Sequence, residues 1–489
     1  MNKLRIGIAL WAISLLSIFW IASAQAQEGG WSEPFRLSSE AGKSSEGYLA
    51  ADQYGNLHTF WVETLFADQL RVIKYARFDG ATWTNPNDIY VTNAGITNVS
   101  PFVDQDGTLH IAWAEGLYGP AYYTHAPAND AVSVKSWSKP LQIDIPARTL
   151  ILRVDSKGVI HILYNQQVED PGVYYLRSVD QGTTWSDPLW LDPDILPYHI
   201  PDGLNFELDE NDGLHAVWVY GALDPKYKPD WVRYTHSIDG GNTWATPFPI
   251  DQVVEENNHY LTTAGPVMIV QGKTVHVIWA AGELPYRFHR YSDDAGETWS
   301  APKQFFGELH GQAFDGLAVD RSGRVHYFAQ IRYPLGIYHS YWDKNHWTPP
   351  SLIYLIAQEG EEIGDRIHAH HTHPVVRAGN QLVLTFADGP ADPNRRLFVM
   401  YRNLDDISPL EAVPTPVPTA TLLPKPSPTP RQAAPLPTLI ETAPAFDNAA
   451  TQPVRHSPRP DLVIWVASVP NLILFGSTII IRLLRKPRR

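Results

Sequence analysis

The chain of 489 residues contains no cysteine, so no disulfide can staple a domain that leaves the cytoplasm. An exported fold must then rest on side-chain packing and backbone ladders, which a domain of about 375 residues is large enough to supply. A basic surplus is missing too: 38 Lys and Arg stand against 52 Asp and Glu, a formal charge of −14. Binding a phosphate backbone needs a basic surface, so nucleic acid is excluded as a partner. The composition calls for no cofactor.

What is present begins with apolar runs at the two ends. Lys3 and Arg5 precede the run Ile6 to Ile21, and Ala22-Ser23-Ala24-Gln25-Ala26 follows it. This order reads as a secretory signal peptide over residues 1–26. Leu462 to Ile481 has the length of a membrane-crossing helix, and Arg482, Arg485, Lys486, Arg488 and Arg489 come directly after it. The positive flank places a tail of residues 482–489 in the cytoplasm and the bulk of the chain outside, as a single-pass protein of the cell membrane. Residues 407–460, with Val-Pro-Thr-Pro and Pro-Lys-Pro-Ser-Pro-Thr-Pro, cannot bury a core and form a disordered, extended stalk.

Between these ends the sequence repeats with a period of roughly 50 residues. One element is a Gly turn, then an aliphatic residue, histidine and an aromatic residue. It places His58, His110, His161, His215, His276 and His326 at equivalent points, and a seventh copy from Gly379 to Phe386 lacks the histidine. The other is Trp-x-x-Pro, at Trp31, Trp83, Trp137, Trp185, Trp244, Trp299 and Trp347. Short alternating strands bounded by Gly and Asp turns at this spacing predict an all-β propeller over residues 31–406, with about four strands per blade. The two series alternate, and the chain starts on a Trp strand and ends on a repeat without one. The first strand is therefore expected to close the last blade, giving seven blades, with six as the alternative.

Three links into the Trp element read Ser-x-Asp-x-Gly-x-Thr-Trp, carrying Asp180, Gly182 and Trp185, then Asp239, Gly241 and Trp244, then Asp294, Gly296 and Trp299. They resemble the Asp box, or BNR repeat, of the sialidase-like propellers. The resemblance covers about residues 31 to 406 and implies that these turns are structural, on the face opposite a ligand site. It identifies a fold more than an activity. Sialidases in the strict sense have six blades, an arginine triad, a tyrosine activated by a glutamate and an Arg-Ile-Pro motif; here Pro34-Phe35-Arg36-Leu37 stands in that place.

Repetition also sorts the candidates, because a single site must break the symmetry of the blades. The six repeat histidines fall one per blade and read as scaffold, hydrogen-bonded between blades. Two residues past each repeat aromatic the chain carries Glu63, Glu115, Gln166, Tyr220, Ala281, Ile331 and Asp388. Glu63, Glu115 and Asp388 belong to neighbouring blades after closure, and paired carboxylates are what glycoside hydrolysis uses. They are the candidate catalytic set for an exo-acting hydrolase, with a solvated acidic rim as the other reading. Tyr220, Arg332, Arg366 and Arg395 are candidate ligand-binding residues, and Trp231, Tyr118, Tyr198, Tyr286 and Tyr333 are rings suited to sugar stacking. The loop from Gln358 to His373 gathers histidines and acids, and His370, His373 and Asp365 are its candidate divalent-metal ligands. The expected partner is a glycan or another cell-envelope polymer, bound either by a display module or by an enzyme.

Overall fold

The computed structural model describes residues 30–411 apart from 117–118, 169, 194–198, 223–231, 252–264, 283, 312–314, 333, 357–371 and 389–394. The leader, most of the stalk and the apolar segment 462–481 lie outside the described residues. Among the described residues no helix is long and apolar enough to cross a membrane.

Seven antiparallel sheets of strands in simple up-and-down order make up the rest. Blade 1 runs through Gly42–Ala51, Leu57–Leu65, Arg71–Phe78 and Asn87–Thr92, and blade 2 through Ile96–Val103, Thr108–Glu115, Ala121–Pro127 and Leu141–Ile143. Blade 3 has Thr149–Val154, Ile160–Gln166, Gly172–Ser178 and Leu189–Trp190; blade 4 has His199–Leu208, Leu214–Ala222, Val232–Ser237 and Phe248–Pro249. Blade 5 comprises Val267–Gln271, Thr274–Ala281, Tyr286–Ser292 and Lys303–Phe305. Blade 6 comprises Gly316–Val319, Val325–Arg332 and Leu335–Asp343, the last pairing with both His346–Trp347 and Ser351–Leu355. The first strand of each blade touches the first strand of the next, and that of blade 7, His373–Arg377, returns to Gly42–Ala51. These strands ring the axis of a seven-bladed propeller.

The expected closure is present. Blade 7 continues through Gln381–Asp388 and Arg396–Asn403, and its fourth strand is Phe35–Arg36 from the other end of the domain. Phe35 lies opposite Val399 and Arg36 opposite Phe398. Ser32 and Ser38 lengthen this short pairing, their Oγ atoms accepting from the amides of Tyr401 and Leu397 at 3.0 and 2.9 Å. Trp31, 1% exposed, packs into the core shared by blades 6 and 7.

The repeat histidines are scaffold, but their bonds run within each blade. His58, His110, His161 and His215 place Nδ1 at 2.7–2.9 Å from the hydroxyl of Tyr75, Tyr123, Tyr175 and Tyr234 on the next strand of the same sheet. On the other side of the ring, Nε2 of His58, His110, His215 and His326 reaches Asp52, Asp104, Asp209 and Asp320 at 3.0–3.4 Å. The expectation of bonds between blades fails because the tyrosine is on the adjacent strand of the same sheet and the aspartate is in that blade's own turn between strands one and two. An ionised aspartate accepts from the Nε2–H, so Nδ1 is the unprotonated nitrogen and accepts from the tyrosine.

The seam between blades is closed by the other repeat. In the turn after Ser178, that hydroxyl donates to Asp180 Oδ1 at 2.8 Å and accepts from the Gly182 amide at 2.8 Å. Asp180 in turn accepts from the amide and hydroxyl of Thr184. The turns at Asp239 and Asp294 repeat the pattern. The glycines are required twice over: Gly241 and Gly296 have φ of +80° and +93°, and a Cβ there would fall 2.1 and 2.0 Å from the hydroxyls of Tyr175 and Tyr234 in the preceding blade. Trp185, Trp244 and Trp299 then lie edge-on to Tyr123, Tyr175 and Tyr234. Each histidine-bound tyrosine is thereby the surface on which the next blade's turn is seated.

Candidate functional site

In an up-and-down blade the turns between strands one and two, and between three and four, share one end. These are the tight Asp and Gly turns just described, and they form the lower end. The connections between strands two and three and from blade to blade open at the upper end. Three first strands carry bulges near that end, between Ser44 and Gly47, Ile96 and Asn98, and Asp202 and Asn205. A bulge bends a strand and re-aims its side chains, a feature that clusters beside sites.

Glu63, Glu115 and Asp388 each end a second strand and face the preceding blade. Glu63 is 1% exposed and accepts from the Ser39 hydroxyl and from Trp61 Nε1 at 3.2 Å. Glu115 accepts from the hydroxyls of Thr92 and Tyr90, both on the outer strand of blade 1. Asp388 accepts from the Tyr354 hydroxyl at 2.6 Å, on the outer strand of blade 6. The three carboxylates thus sit in three different seams, each engaged by donors from the neighbouring blade. Tyr220 occupies the same position in blade 4 and is fully buried, its hydroxyl donating to Asp192 at 3.2 Å. Burial, and then the Asp192 charge, push that phenol well above its ordinary range.

Of the other candidates, Arg395 uses its carbonyl to hold the Ser44 amide, and the His373 ring lies 4.9 Å from that of Tyr48. Arg366, His370, Asp365, Trp231, Tyr118, Tyr198 and Tyr333 lie outside the described residues. Among the described residues no group of three or more His, Cys, Asp or Glu is arranged to hold a metal ion.

Two of the candidates, Tyr286 by its ring and Arg332 by its backbone, adjoin the same residue, His310, at the upper end of the seam between blades 5 and 6. The Tyr286 ring is 5.5 Å from that of His310, and the Arg332 amide donates to the His310 carbonyl at 3.3 Å. Glu308 accepts from the Tyr286 hydroxyl at 3.5 Å, and its carbonyl lies 2.8 Å from His310 Nδ1. Beneath them is a residue that sequence reasoning missed. Arg287 is fully buried and pairs with Asp315 through Nε at 2.7 Å and Nη2 at 3.2 Å. Its remaining donors reach the carbonyls of Pro285 at 2.7 Å, Gly311 at 2.9 Å and Gln330 at 3.2 Å. Tyr327 donates to Asp315 at 2.6 Å. Burial alone would lower the guanidinium pKa, but the Asp315 charge, with the hydrogen bonds to Asp315 and Tyr327, raises it overall. A buried pair of this kind is stable only when its other donors are satisfied, as they are here.

A signal for Arg287 was available. Counting two residues back from the tyrosine or its substitute on each third strand gives Ile73, Ala121, Val173, Val232, Arg287, Ile337 and Leu397, every one fully buried. Six seams are apolar at this point and one is ionic.

Neither a protein-family model nor a curated relative matches the chain. Solved structures match at low identity. A polysaccharide lyase, an ulvan lyase bound to -[GlcA(1-4)Rha3S]-, is 12% identical, with 74% of this chain and 95% of the lyase covered at a TM-score of 0.52. A protein of unknown function from Dyadobacter fermentans is 16% identical over 77% of this chain and 100% of its own, at a TM-score of 0.49. An intramolecular trans-sialidase from Ruminococcus gnavus is 13% identical over 79% of this chain and 100% of its own, at 0.43. The likeness to the lyase is one of fold, and the strand pairing fixes that fold as an all-β propeller of seven blades.

Proposed function

We propose that this protein is an exported propeller, tethered to a membrane through its Pro/Thr-rich stalk, whose upper end recognises an extracellular glycan or another cell-envelope polymer. The observation that carries the reading is the contrast between the two ends. The lower end is built of repeated, fully hydrogen-bonded turns, while the upper end breaks the repeat and presents Tyr286, His310 and Glu308 beside one another. An amphipathic ring next to a carboxylate suits a sugar, which offers C–H faces and hydroxyls together. The ulvan lyase, whose structure holds a sugar-acid polymer unit, uses the same fold. We read the three Ser-x-Asp-x-Gly-x-Thr-Trp turns as Asp boxes, which fits their place at the opposite end.

The leader and the segment Leu462 to Ile481, with its basic flank, support export and tethering. Binding is preferred here to hydrolysis because Glu63, Glu115 and Asp388 are engaged in separate seams. The test is a glycan array probed with the purified full chain, beside fluorogenic glycosides assayed with the wild type, Glu63→Gln and Glu115→Gln. Glycan binding without turnover is the expected result. Turnover that is lost in either variant would instead make the carboxylates catalytic, and silence in both assays would overturn the glycan reading.

A further inference from the structure

We infer that the upper end of the seam between blades 5 and 6 is a pyranose-binding subsite, formed by the Tyr286 ring with His310 beside it, edged by Glu308, and held in shape by Arg287. The inference rests on the glycan reading above and names where on the upper end the sugar sits.

The argument starts from the cost of Arg287. A buried ion pair can be exchanged for packed aliphatic side chains with little or no loss of stability. The other six seams use such side chains at this position and are closed equally well, every residue there being fully buried. Stability alone therefore gives blade 5 no reason for an arginine.

What the arginine does that an aliphatic residue cannot is bind backbone. Its Nη1 donates to Pro285 O and Gly311 O, the residues directly beside Tyr286 and His310. The Gly311 amide returns a bond to Pro285 O at 3.3 Å. Gly311 itself has φ of +117°, and a Cβ on it would fall 2.5 Å from Arg332 Cβ, so the connection runs tightly against the end of the blade 6 strand. Two connections, one within blade 5 and one running from blade 5 to blade 6, are thereby sewn to one buried cation, and the two rings they carry are fixed 5.5 Å apart. Asp315 and Tyr327 orient the guanidinium from below. Locking exposed groups through buried hydrogen bonds is how a binding site avoids ordering its side chains at the moment of binding.

The exposed groups define the ligand class. The half-buried Tyr286 ring offers a face to the C–H side of a sugar, the His310 ring, tilted 58° to it, flanks that face, and the exposed Glu308 carboxylate accepts from hydroxyls. A pyranose with an unbroken C–H face and equatorial hydroxyls fits this set, as a unit of a longer polysaccharide.

The experiment is calorimetric titration of the purified full chain with cellohexaose, laminarihexaose and an oligogalacturonide, repeated on Tyr286→Ala, His310→Ala and the double variant Arg287→Met/Asp315→Leu. At least one probe is expected to bind the wild type, with affinity at least ten-fold weaker in each single variant. The double variant is expected to keep its melting temperature within a few degrees while binding several-fold more weakly, because the seam stays packed but the connections are released. A probe that binds wild type and all variants alike would overturn the subsite and leave the glycan reading standing. If no probe binds, and a glycan array is silent as well, the glycan reading falls and the subsite with it.

Discussion

His276 and His289 share a hydrogen bond across two strands of blade 5, Nδ1 to Nε2 at 3.0 Å, where blades 1 to 4 pair histidine with tyrosine. His326 and His339 do the same in blade 6, also at 3.0 Å. A bond between two imidazoles requires one of them to be neutral. All four rings are buried, and His276 has no aspartate on its other nitrogen, its turn being Gln271-Gly272-Lys273-Thr274. His326 does have one, Asp320, with Arg324 and Arg402 acting against it.

Burial drives His276 down to about 4 and lowers His289, His326 and His339 as well. In the unfolded chain these rings titrate near 6.5. Folded pKa values below unfolded ones mean stability that is complete above pH ~6.5 and lost as the pH falls from there toward 4. His276 alone is expected to cost about 3 kcal/mol over that window. Urea unfolding at pH 7.0, 5.5 and 4.5 measures it. His289→Tyr and His339→Tyr, which restore the pairing of blades 1 to 4, are expected to flatten the profile; an unchanged profile would remove these pairs as its cause.

Gly296→Ala tests the coupling of the two repeats. The substitution forces a Cβ into a left-handed backbone and against Tyr234, the partner of His215. The expected loss is about 2–3 kcal/mol, from backbone strain and a disturbed hydrogen bond together. Adding Tyr234→Phe relieves the contact with the hydroxyl, so the pair of changes should cost less than the sum of the two. Strict additivity in a double-mutant cycle would show that the turn and the tyrosine are independent.

The seven blades and their closure were legible because packing between identical neighbours leaves a periodic trace: the histidine, its glycine turn and the seam tryptophan recur in register. The upper end was legible only in part. Tyr286 and Arg332 could be picked out by type and place, but nothing in sequence order says that the connection through His310 adjoins both. The carboxylates stood where expected, at the ends of second strands. Their occupation by Ser39, Thr92 and Tyr354 depends on the outer strand of the neighbouring blade, and Thr92 and Tyr354 belong to no repeated motif. Arg287 was hidden for a different reason: read alone it is an ordinary polar residue on a strand, and it stands out only when the third strands are aligned and six aliphatic residues appear beside it.

Trp31→Ala should weaken closure more than any other single change in the N-terminal segment that closes blade 7. The ring is 1% exposed and lies edge-on to Phe328 and His339 of blade 6, so its loss leaves a cavity at the joint between the two ends of the propeller. A cost of about 3–5 kcal/mol is expected. Hydrogen exchange should rise in residues 395–403, which the N-terminal segment covers, before it rises in blade 3. A uniform rise across all blades would mean that closure and global unfolding are one event.

The segment after the last strand provides the final test, because it binds the lower end and takes with it residues 407–411, the first of the expected stalk. The Leu404 and Leu410 amides donate to Asn380 O and Ala378 O, both at 2.8 Å, and Asn380 Nδ2 donates to Ile407 O at 3.0 Å. Arg321 donates to the carbonyl of Pro409 at 3.0 Å, and Arg324 pairs with Asp406 at 2.8 Å. Leu404 is 6% exposed and joins the core of blades 6 and 7. Each of these bonds contributes no more than a surface contact alone, but in series they stand between a pull on the stalk and the strand Arg396–Asn403 that holds the closure. A chain ending at Asn403 is expected to lose about 2–4 kcal/mol relative to one ending at Glu411. Under load applied at the C-terminus in single-molecule pulling, the longer chain should show an early, small extension as residues 404–411 detach, followed by opening of blade 7 at higher force. The same first rupture in both chains would mean that the segment carries no load.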